Sequence, residues 1–347
     1  MLTAQWARYG LDFRFEAVTS RERMWRKPTY FVRVFDTEHP ETIGIGECPL
    51  FPGLSADDRP DYEAVLAAVC RAPESWRSCI YPSIRFGFET AMADLAGGGR
   101  ARWTDTSWSR GERGVTINGL VWMGDKATMS RRIREKLDAG FRVLKLKIGG
   151  IAFDDECGLL EAVRREFSPE TLEIRLDANG SFAPADAIRC LDRLARYGIH
   201  SIEQPVRAGK PELMARLCLR SPLPIALDEE LIGWRTREQA EALVGEIMPA
   251  YLILKPALIG GTEAAEMYAG IARQLGIGWW ATSALESNLG LNAIAQWVTT
   301  TGNEMPQGLG TGQLYTNNIA SPLELRGDRL FTNPGVSWGK LELSWQG

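Results

Sequence analysis

Histidine is almost missing from this chain: His39 and His200 are the only two in 347 residues. That leaves little room for a histidine triad or a multi-histidine zinc site. Cysteine is sparse and scattered, at Cys48, Cys70, Cys79, Cys157, Cys190 and Cys218, with no C-x-x-C pair. These read as reduced core thiols, not as a disulfide framework or a thiolate metal site. No run of 18 apolar residues exists, so no membrane span is expected. The first residues lack a charged segment followed by an apolar one, so no secretory leader is expected either. Basic runs are also missing: Lys plus Arg is 40 against 44 for Asp plus Glu, a formal charge of −4. Nucleic acid is therefore a poor partner, and a small-molecule partner in the cytoplasm is the expectation.

What is present is ordinary globular material, 45% hydrophobic and 24% charged. The length suits two or three domains, or one large barrel with an appendage. Residues 1–113 read as an α+β unit. Tyr30–Phe35 and Thr42–Glu47 are strand-like runs around a polar turn, and helical periodicity follows over Tyr62–Cys70 and Ile84–Leu95. Gly97-Gly98-Gly99-Arg100 and the polar stretch to Arg113 read as a linker. From residue 114 the pattern alternates strand and helix. Eight strands are predicted: Val115–Asn118, Val143–Ile148, Glu173–Asp177, His200–Glu203, Pro224–Asp228, Tyr251–Lys255, Gly278–Ser283 and Met305–Leu309. Helices are predicted between them, among them Asp186–Tyr197, Arg237–Val244 and Thr262–Leu275. That alternation favours a closed barrel over residues 114–316. A doubly wound open sheet is weakened by the lack of G-x-G-x-x-G after the first strand.

In such a barrel, reactive side chains gather at the C-terminal strand ends. Strands two to six end in Lys145-Leu146-Lys147, Asp177, Glu203, Asp228 and Lys255, each about one βα unit from the next. The rim order is thus Lys, Asp, Glu, Asp, Lys. Any one of these charges alone reads more simply as a solvated strand end or a salt bridge. Together, three carboxylates on adjacent strands would repel one another unless a divalent cation lay between them. All-oxygen ligation suits Mg²⁺, with Mn²⁺ as the alternative. A cation on a substrate carboxylate acidifies its α-proton by stabilising the enediolate, and a lysine beside it could take that proton. Lys145 and Lys147 alternate across one residue and share a face, so one of them could simply pair with a carboxylate.

These residues and their order resemble the enolase superfamily, in its muconate-lactonising-enzyme subgroup. Finer motifs resemble the o-succinylbenzoate synthase family: Lys255-Pro256-Ala257-Leu258-Ile259-Gly260-Gly261, the segment Ser283 to Leu291, Gln307 to Gly312, and Gly46-Glu47-Cys48-Pro49-Leu50-Phe51-Pro52-Gly53. The resemblance implies an α/β fold: a (β/α)7β TIM-like barrel, an N-terminal α+β capping domain with lid loops, and a segment 317–347 that returns to the cap. It implies metal ligands at Asp177, Glu203 and Asp228. Lys147 would be the base on one face and Lys255 the lysine on the other. The implied reaction is a dehydration that turns a hydroxylated cyclohexadiene carboxylate with a succinyl arm into o-succinylbenzoate, which feeds menaquinone synthesis. Lys147 would remove the α-proton and return it to the departing hydroxyl, while Lys255 stays cationic.

Substrate contacts are expected from Lys145, Arg175, Ser283, Gly308 and Gly310, and indirect support of the metal ligands from Asn179 and Glu229. The glycines read equally well as tight barrel turns. The segment Thr19 to Lys27 resembles the family's mobile lid. Its Arg21, Arg23, Arg26 and Lys27 read more simply as a solvated charge run than as a screen for an anion. Trp279 and Trp280 read as packing. Close rivals are racemisation of N-acylamino acids, dipeptide epimerisation and muconate cycloisomerisation. The epimerase reading loses ground because residues 308–312 hold no acid where that family resembles Asp-x-Asp. A Schiff-base aldolase barrel would not need the three carboxylates, and a non-catalytic barrel would not need all five charged residues. A homo-oligomer stays open.

Overall fold

In a computed structural model of the chain, residues 1–18 and 23–347 are described. Three long strands come first: β1 (Leu2–Val18), β2 (Arg23–Asp36) and β3 (His39–Cys48), paired antiparallel in that order. β1 escapes a sequence reading because its buried positions change parity, from Ala4 and Trp6 to Ala7, Leu11 and Phe13, which breaks the period-two pattern. α1 (Tyr62–Arg71) and α2 (Pro82–Ala96) pack on this sheet around Trp6, Tyr30, Tyr62 and Trp76. The approach of α2 to β3 is close enough to require glycine. A Cβ at Gly46 would lie 1.9 Å from the carbonyl oxygen of Gly87.

The rest of the chain is the barrel. Its elements are β4 (Val115–Thr116), β5 (Gly119–Val121), α3 (Lys126–Asp138), β6 (Val143–Lys147), α4 (Phe153–Glu166), β7 (Glu173–Asp177), α5 (Ala187–Leu194), β8 (Ser201–Glu203), α6 (Pro211–Arg220), β9 (Ile225–Leu227), α7 (Arg237–Ile247), β10 (Tyr251–Leu254), the single turn α8 (Pro256–Ile259), α9 (Thr262–Leu275), β11 (Gly278–Ala281) and α10 (Asn288–Thr300). β5 to β11 form one parallel sheet in chain order. Isolated parallel bridges from Ile117 to Gln307 and from Thr282 to Gly308 complete the ring. The fold is therefore a (β/α)7β TIM-like barrel with an N-terminal cap. Among the described residues no helix is long and apolar enough to cross a membrane.

Two strand expectations need correction. Of the run from Val115 to Asn118 only Ile117 and Asn118 belong to the barrel wall, whose first ladder strand is β5. Instead β4 pairs antiparallel with β13 (Arg329–Thr332), whose hairpin partner is β12 (Leu323–Arg326). The eighth position is reduced to the two bridges, because Pro306 supplies no N–H to a ladder. Among the helices, α9 matches its expected bounds, while α5 stops at Leu194 and a 3₁₀ turn carries on to Tyr197. All six cysteines are unbonded, four of them buried.

Two carboxylates of the cap terminate helices of the barrel. Glu89 of α2 accepts from Thr262 N at 2.6 Å, Thr262 Oγ1 at 2.6 Å and Glu263 N at 2.7 Å, satisfying the first turn of α9. Glu47 of β3 accepts from Ser287 Oγ at 2.6 Å and Gly290 N at 3.1 Å at the start of α10, and from Thr29 Oγ1 at 2.7 Å. Negative charge at a helix N-terminus is favourable and satisfies orphan N–H groups. The end of the chain also reaches the cap, where Gln346 N donates to Trp6 O at 2.8 Å. Replacing Glu89 with Ala should lower the unfolding free energy by about 1–3 kcal/mol, read from the urea midpoint. An unchanged midpoint would show that the cap is not anchored there.

Candidate active site

The strand ladder sets the site. Lys147 is in register with Asp177, and Asp177 with Glu203, so neighbouring strands deliver these side chains to one rim. Asp228 follows β9 directly, and Lys255 follows β10. Asp177, Glu203 and Asp228 are all buried, and each places a carboxylate oxygen within 4.8 Å of the others. Such a cluster is costly without cations. Three lysines supply them here. Lys145 Nζ contacts Glu203 and lies 3.0 Å from Asp177. Lys147 Nζ is 3.1 Å from Asp177 and donates to Asn179 Oδ1 at 2.8 Å. Lys255 Nζ is 2.5 Å from Asp228.

The charge states follow from this packing. Burial favours a neutral Lys145, yet the carboxylates of Asp177, Glu203 and Asp228 outweigh it and hold the ammonium well above its ordinary range. Burial likewise opposes ionisation of Asp177, but Lys145, Lys147 and Lys255 hold it well below the usual carboxylate range. Glu203 goes the other way: burial, with repulsion from Asp177 and Asp228, pushes it up to about 7 despite Lys145. Glu229 is pushed up to about 7 by burial and by Asp228.

The donor set fits a hard divalent cation. Glu203 Oε1 and Asp228 Oδ1 are buried and have no hydrogen-bond partner among the described residues. Three oxygens converge with no histidine or cysteine among them, as Mg²⁺-type ions prefer. Asn179 and Glu229 take supporting places. Asn179 N donates to Asp177 Oδ1 at 3.1 Å, and its side-chain amide donates to Glu229 Oε1 at 3.0 Å.

Gln204 and Glu230 are supports that the sequence analysis does not name. Gln204 Oε1 accepts from Asp228 N at 3.3 Å and Glu230 N at 3.2 Å, while its Nε2 donates to Glu230 Oε2 at 3.1 Å. This ties the β8 and β9 ends together and fixes two of the three carboxylates. The signal was the fully buried amide directly after Glu203; it is legible only once that position is known to be interior.

A cleft of about 800 Å³, open solvent at its mouth included, lies over this rim. Lys145, Lys147, Asp177, Asn179, Glu229 and Lys255 line it on one side, and Thr282, Ser283, Gly308, Gly310 and Thr311 on another. From the cap, Phe51 and Leu54 cover it. Asn118, Leu120 and Trp122, alternate residues of the first barrel segment, also face in.

Several expected substrate contacts change here. Arg175 does not line the cleft. It is fully buried toward the opposite end of the barrel, bonded to Glu173 Oε1 at 2.7 Å and Pro306 O at 2.8 Å and lying 4.0 Å from the Trp280 ring. Arg175 shares its level with Lys145, which does reach the cleft, but its side chain runs the other way, to Glu173 and Pro306. Ser283 lines the cleft, but its hydroxyl is taken: it donates to Glu286 and accepts from Thr311 Oγ1 at 2.8 Å and Leu285 N at 3.0 Å. Trp279 stacks on Trp297 and Trp280 packs on Arg175, so both are packing.

The charge run from Thr19 to Lys27 divides, and its last residues, Arg23, Arg26 and Lys27, belong to β2. Thr19 and Arg21 lie outside the described residues. Arg23 and Arg26 are exposed and pair with Glu16 and Asp12, each at 3.3 Å. Lys27 is not a solvated charge. Its Nζ is fully buried without a hydrogen-bond partner among the described residues, facing Glu47 and Glu286, and burial lowers its proton affinity.

The family described as enolase C-terminal domain-like matches residues 128–337. An o-succinylbenzoate synthase of Desulfotalea psychrophila is 46% identical over 360 residues, spanning 93% of this chain and 97% of that relative. The crystal structure of MenC from the same organism superposes with a TM-score of 0.82 at 43% identity, covering 95% of this chain and 99% of that one. The L-Ala-D/L-Glu epimerase of Bacillus subtilis superposes with a TM-score of 0.81, covering 95% of each chain, but at 18% identity that likeness is of fold alone.

A proton on Glu203 competes with a cation for the same oxygens. With its carboxyl held at about 7, Mg²⁺ affinity should fall roughly tenfold between pH 8 and pH 6. Calorimetric titration at both values checks this; a flat profile would take Glu203 out of the ligand set.

Proposed function

The chain belongs to the enolase superfamily, and within it we propose that it is an o-succinylbenzoate synthase, carrying out the metal-dependent syn dehydration of 2-succinyl-6-hydroxy-2,4-cyclohexadiene-1-carboxylate. The observation that carries this reading is a cleft with Lys145 and Lys147 on one side of a buried three-carboxylate cluster and Lys255 on the other. It occurs in a chain that matches the Desulfotalea synthase almost from end to end. Asp177, Glu203 and Asp228 would hold a divalent cation, and the all-oxygen set favours Mg²⁺. When bound, that cation supplies Lewis-acid stabilisation of the charge that grows on the substrate carboxylate as its α-proton leaves.

The protein's own residues then divide the work. Lys147 lines the cleft, and its ammonium is positioned by Asn179 and Asp177. In neutral form it takes the α-proton. The same group, now an ammonium, gives that proton to the ring hydroxyl leaving from the same face, so water departs and the ring becomes aromatic. No net proton is consumed. Lys255 approaches from beyond Asp228, on the far side of the carboxylate cluster. Its neighbours Asp228, Glu229 and Asp177 outweigh burial and the repulsion of Lys145, so it stays cationic and stabilises the developing anion. Phe51 and Leu54 from the cap exclude water from the reacting face.

A racemase would also use two opposed lysines, so turnover must decide. Purified protein with Mg²⁺ should consume the cyclohexadiene, followed by loss of its diene absorbance, and EDTA should stop it. Lys147→Ala should reduce turnover by at least about 10³-fold while Mg²⁺ still binds. Substantial residual dehydration would remove Lys147 as the base. Absence of dehydration in the unaltered protein, with α-proton exchange of N-acylamino acids in D₂O, would transfer the assignment to racemisation.

A further inference from the structure

We propose that Asn118 and Thr282 form the neutral subsite that hydrogen-bonds the terminal carboxylate of the substrate's succinyl arm. This rests on the dehydratase reading and specifies its substrate contacts. The wall facing the metal carboxylates is built from the first barrel segment, the end of β11 and residues 307–311. Most of its polar groups are already engaged. Ser283 is saturated by Glu286, Thr311 and Leu285, and the Thr311 hydroxyl is directed at Ser283. Two side chains on this wall are not. Asn118 is 2% exposed and its Oδ1 has no partner among the described residues; Thr282 is 8% exposed and its Oγ1 has none. Buried polar atoms without partners are rare and point to a group that arrives later.

The two flank the same opening. Asn118 N donates to Gln307 O at 2.9 Å, and Thr282 bridges to Gly308. Gly308 keeps the space clear, since a Cβ there would lie 2.5 Å from Thr282 Oγ1. A side-chain amide can turn to present its N–H₂ or its oxygen, and a threonine hydroxyl can donate. Two neutral donors suit an anionic oxygen. With no Asp or Glu in residues 308–312, the wall has no partner for an ammonium. The carboxylates stand on β7, β8 and the end of β9, away from this wall, so one substrate can reach both with its two ends.

The test compares Asn118→Ala, Thr282→Val and Thr282→Ser. Each of the first two should raise KM for the cyclohexadiene substrate about tenfold or more, with kcat changed less than about threefold. Thr282→Ser keeps the hydroxyl and should stay within about threefold of the unaltered protein. In parallel, o-succinylbenzoate and benzoate are titrated into the Mg²⁺-loaded proteins. Affinity for o-succinylbenzoate should fall by the same factor as KM rises, and affinity for benzoate should hold. Equal weakening of both ligands would make these residues merely structural and overturn the proposal while leaving the dehydratase reading intact. Unchanged KM and affinity would do the same. If the unaltered protein neither dehydrates the diene nor prefers o-succinylbenzoate to benzoate, the functional reading fails and the subsite with it. Should Asn118→Ala not fold, the Thr282 pair decides alone.

Discussion

Three carboxylates held within 4.8 Å of one another in the buried rim are the constraint around which the barrel is organised. Left alone they would not stay ionised together. Asp177 and Glu203 show the tension: lysines pull one well below the carboxylate range, while burial and like charge push the other up to about 7. The parallel ladder makes the arrangement possible: Lys147, Asp177 and Glu203 stand at one level on neighbouring strands, and Asp228 joins them from two residues beyond Ala226, the partner of Glu203. Under the proposed function, two of the lysines that quiet the cluster, Lys147 and Lys255, would also be the groups that move or stabilise a substrate's charge. Structural compensation and chemistry are here the same contacts.

The cap is held by the same physics at lower intensity. Glu89 and Glu47 leave the cap to complete the first turns of α9 and α10. The second of these reaches the wall of the cleft directly, since α10 follows the turn carrying Ser283 and Glu286. Lys27 adds a buried amine facing both Glu47 and Glu286. The cap is thereby registered to the loop that lines the cleft, and Phe51 and Leu54 arrive above the rim at a fixed height.

The chemistry was easier to read in the sequence than the supports. Lys147, Asp177, Glu203, Asp228 and Lys255 stand out because a charge ending an apolar strand is conspicuous and the βα period repeats. Gln204 and Glu230 do not, because a neutral amide or a second acid beside a ligand looks the same whether buried or solvated. Arg175 is misplaced for a related reason: sequence gives the face and level of a strand residue, which Arg175 shares with Lys145, but not the direction its long side chain takes, here away from the rim to Glu173 and Pro306. β1 is hidden because its buried positions change parity between Trp6 and Ala7, so no single period-two pattern runs through it. β5 was displaced because the strand-like residues before it are claimed by the tail hairpin.

The cleft divides into two walls of different character, and under the proposed function that division would separate chemistry from selection. The metal wall is charged, tightly cross-bonded through Lys145, Gln204 and Asn179, and intolerant of change because each group holds another. The opposite wall is neutral. Its hydroxyls at Ser283 and Thr311 are tied into a chain ending on Glu286, which leaves Asn118 and Thr282 with unspent hydrogen-bonding capacity. Selectivity can therefore change on that wall through neutral substitutions that leave the electrostatics of the rim untouched. One barrel can then serve dehydration, racemisation or cycloisomerisation with the same carboxylates and lysines, the outcome set by what the second wall will accept.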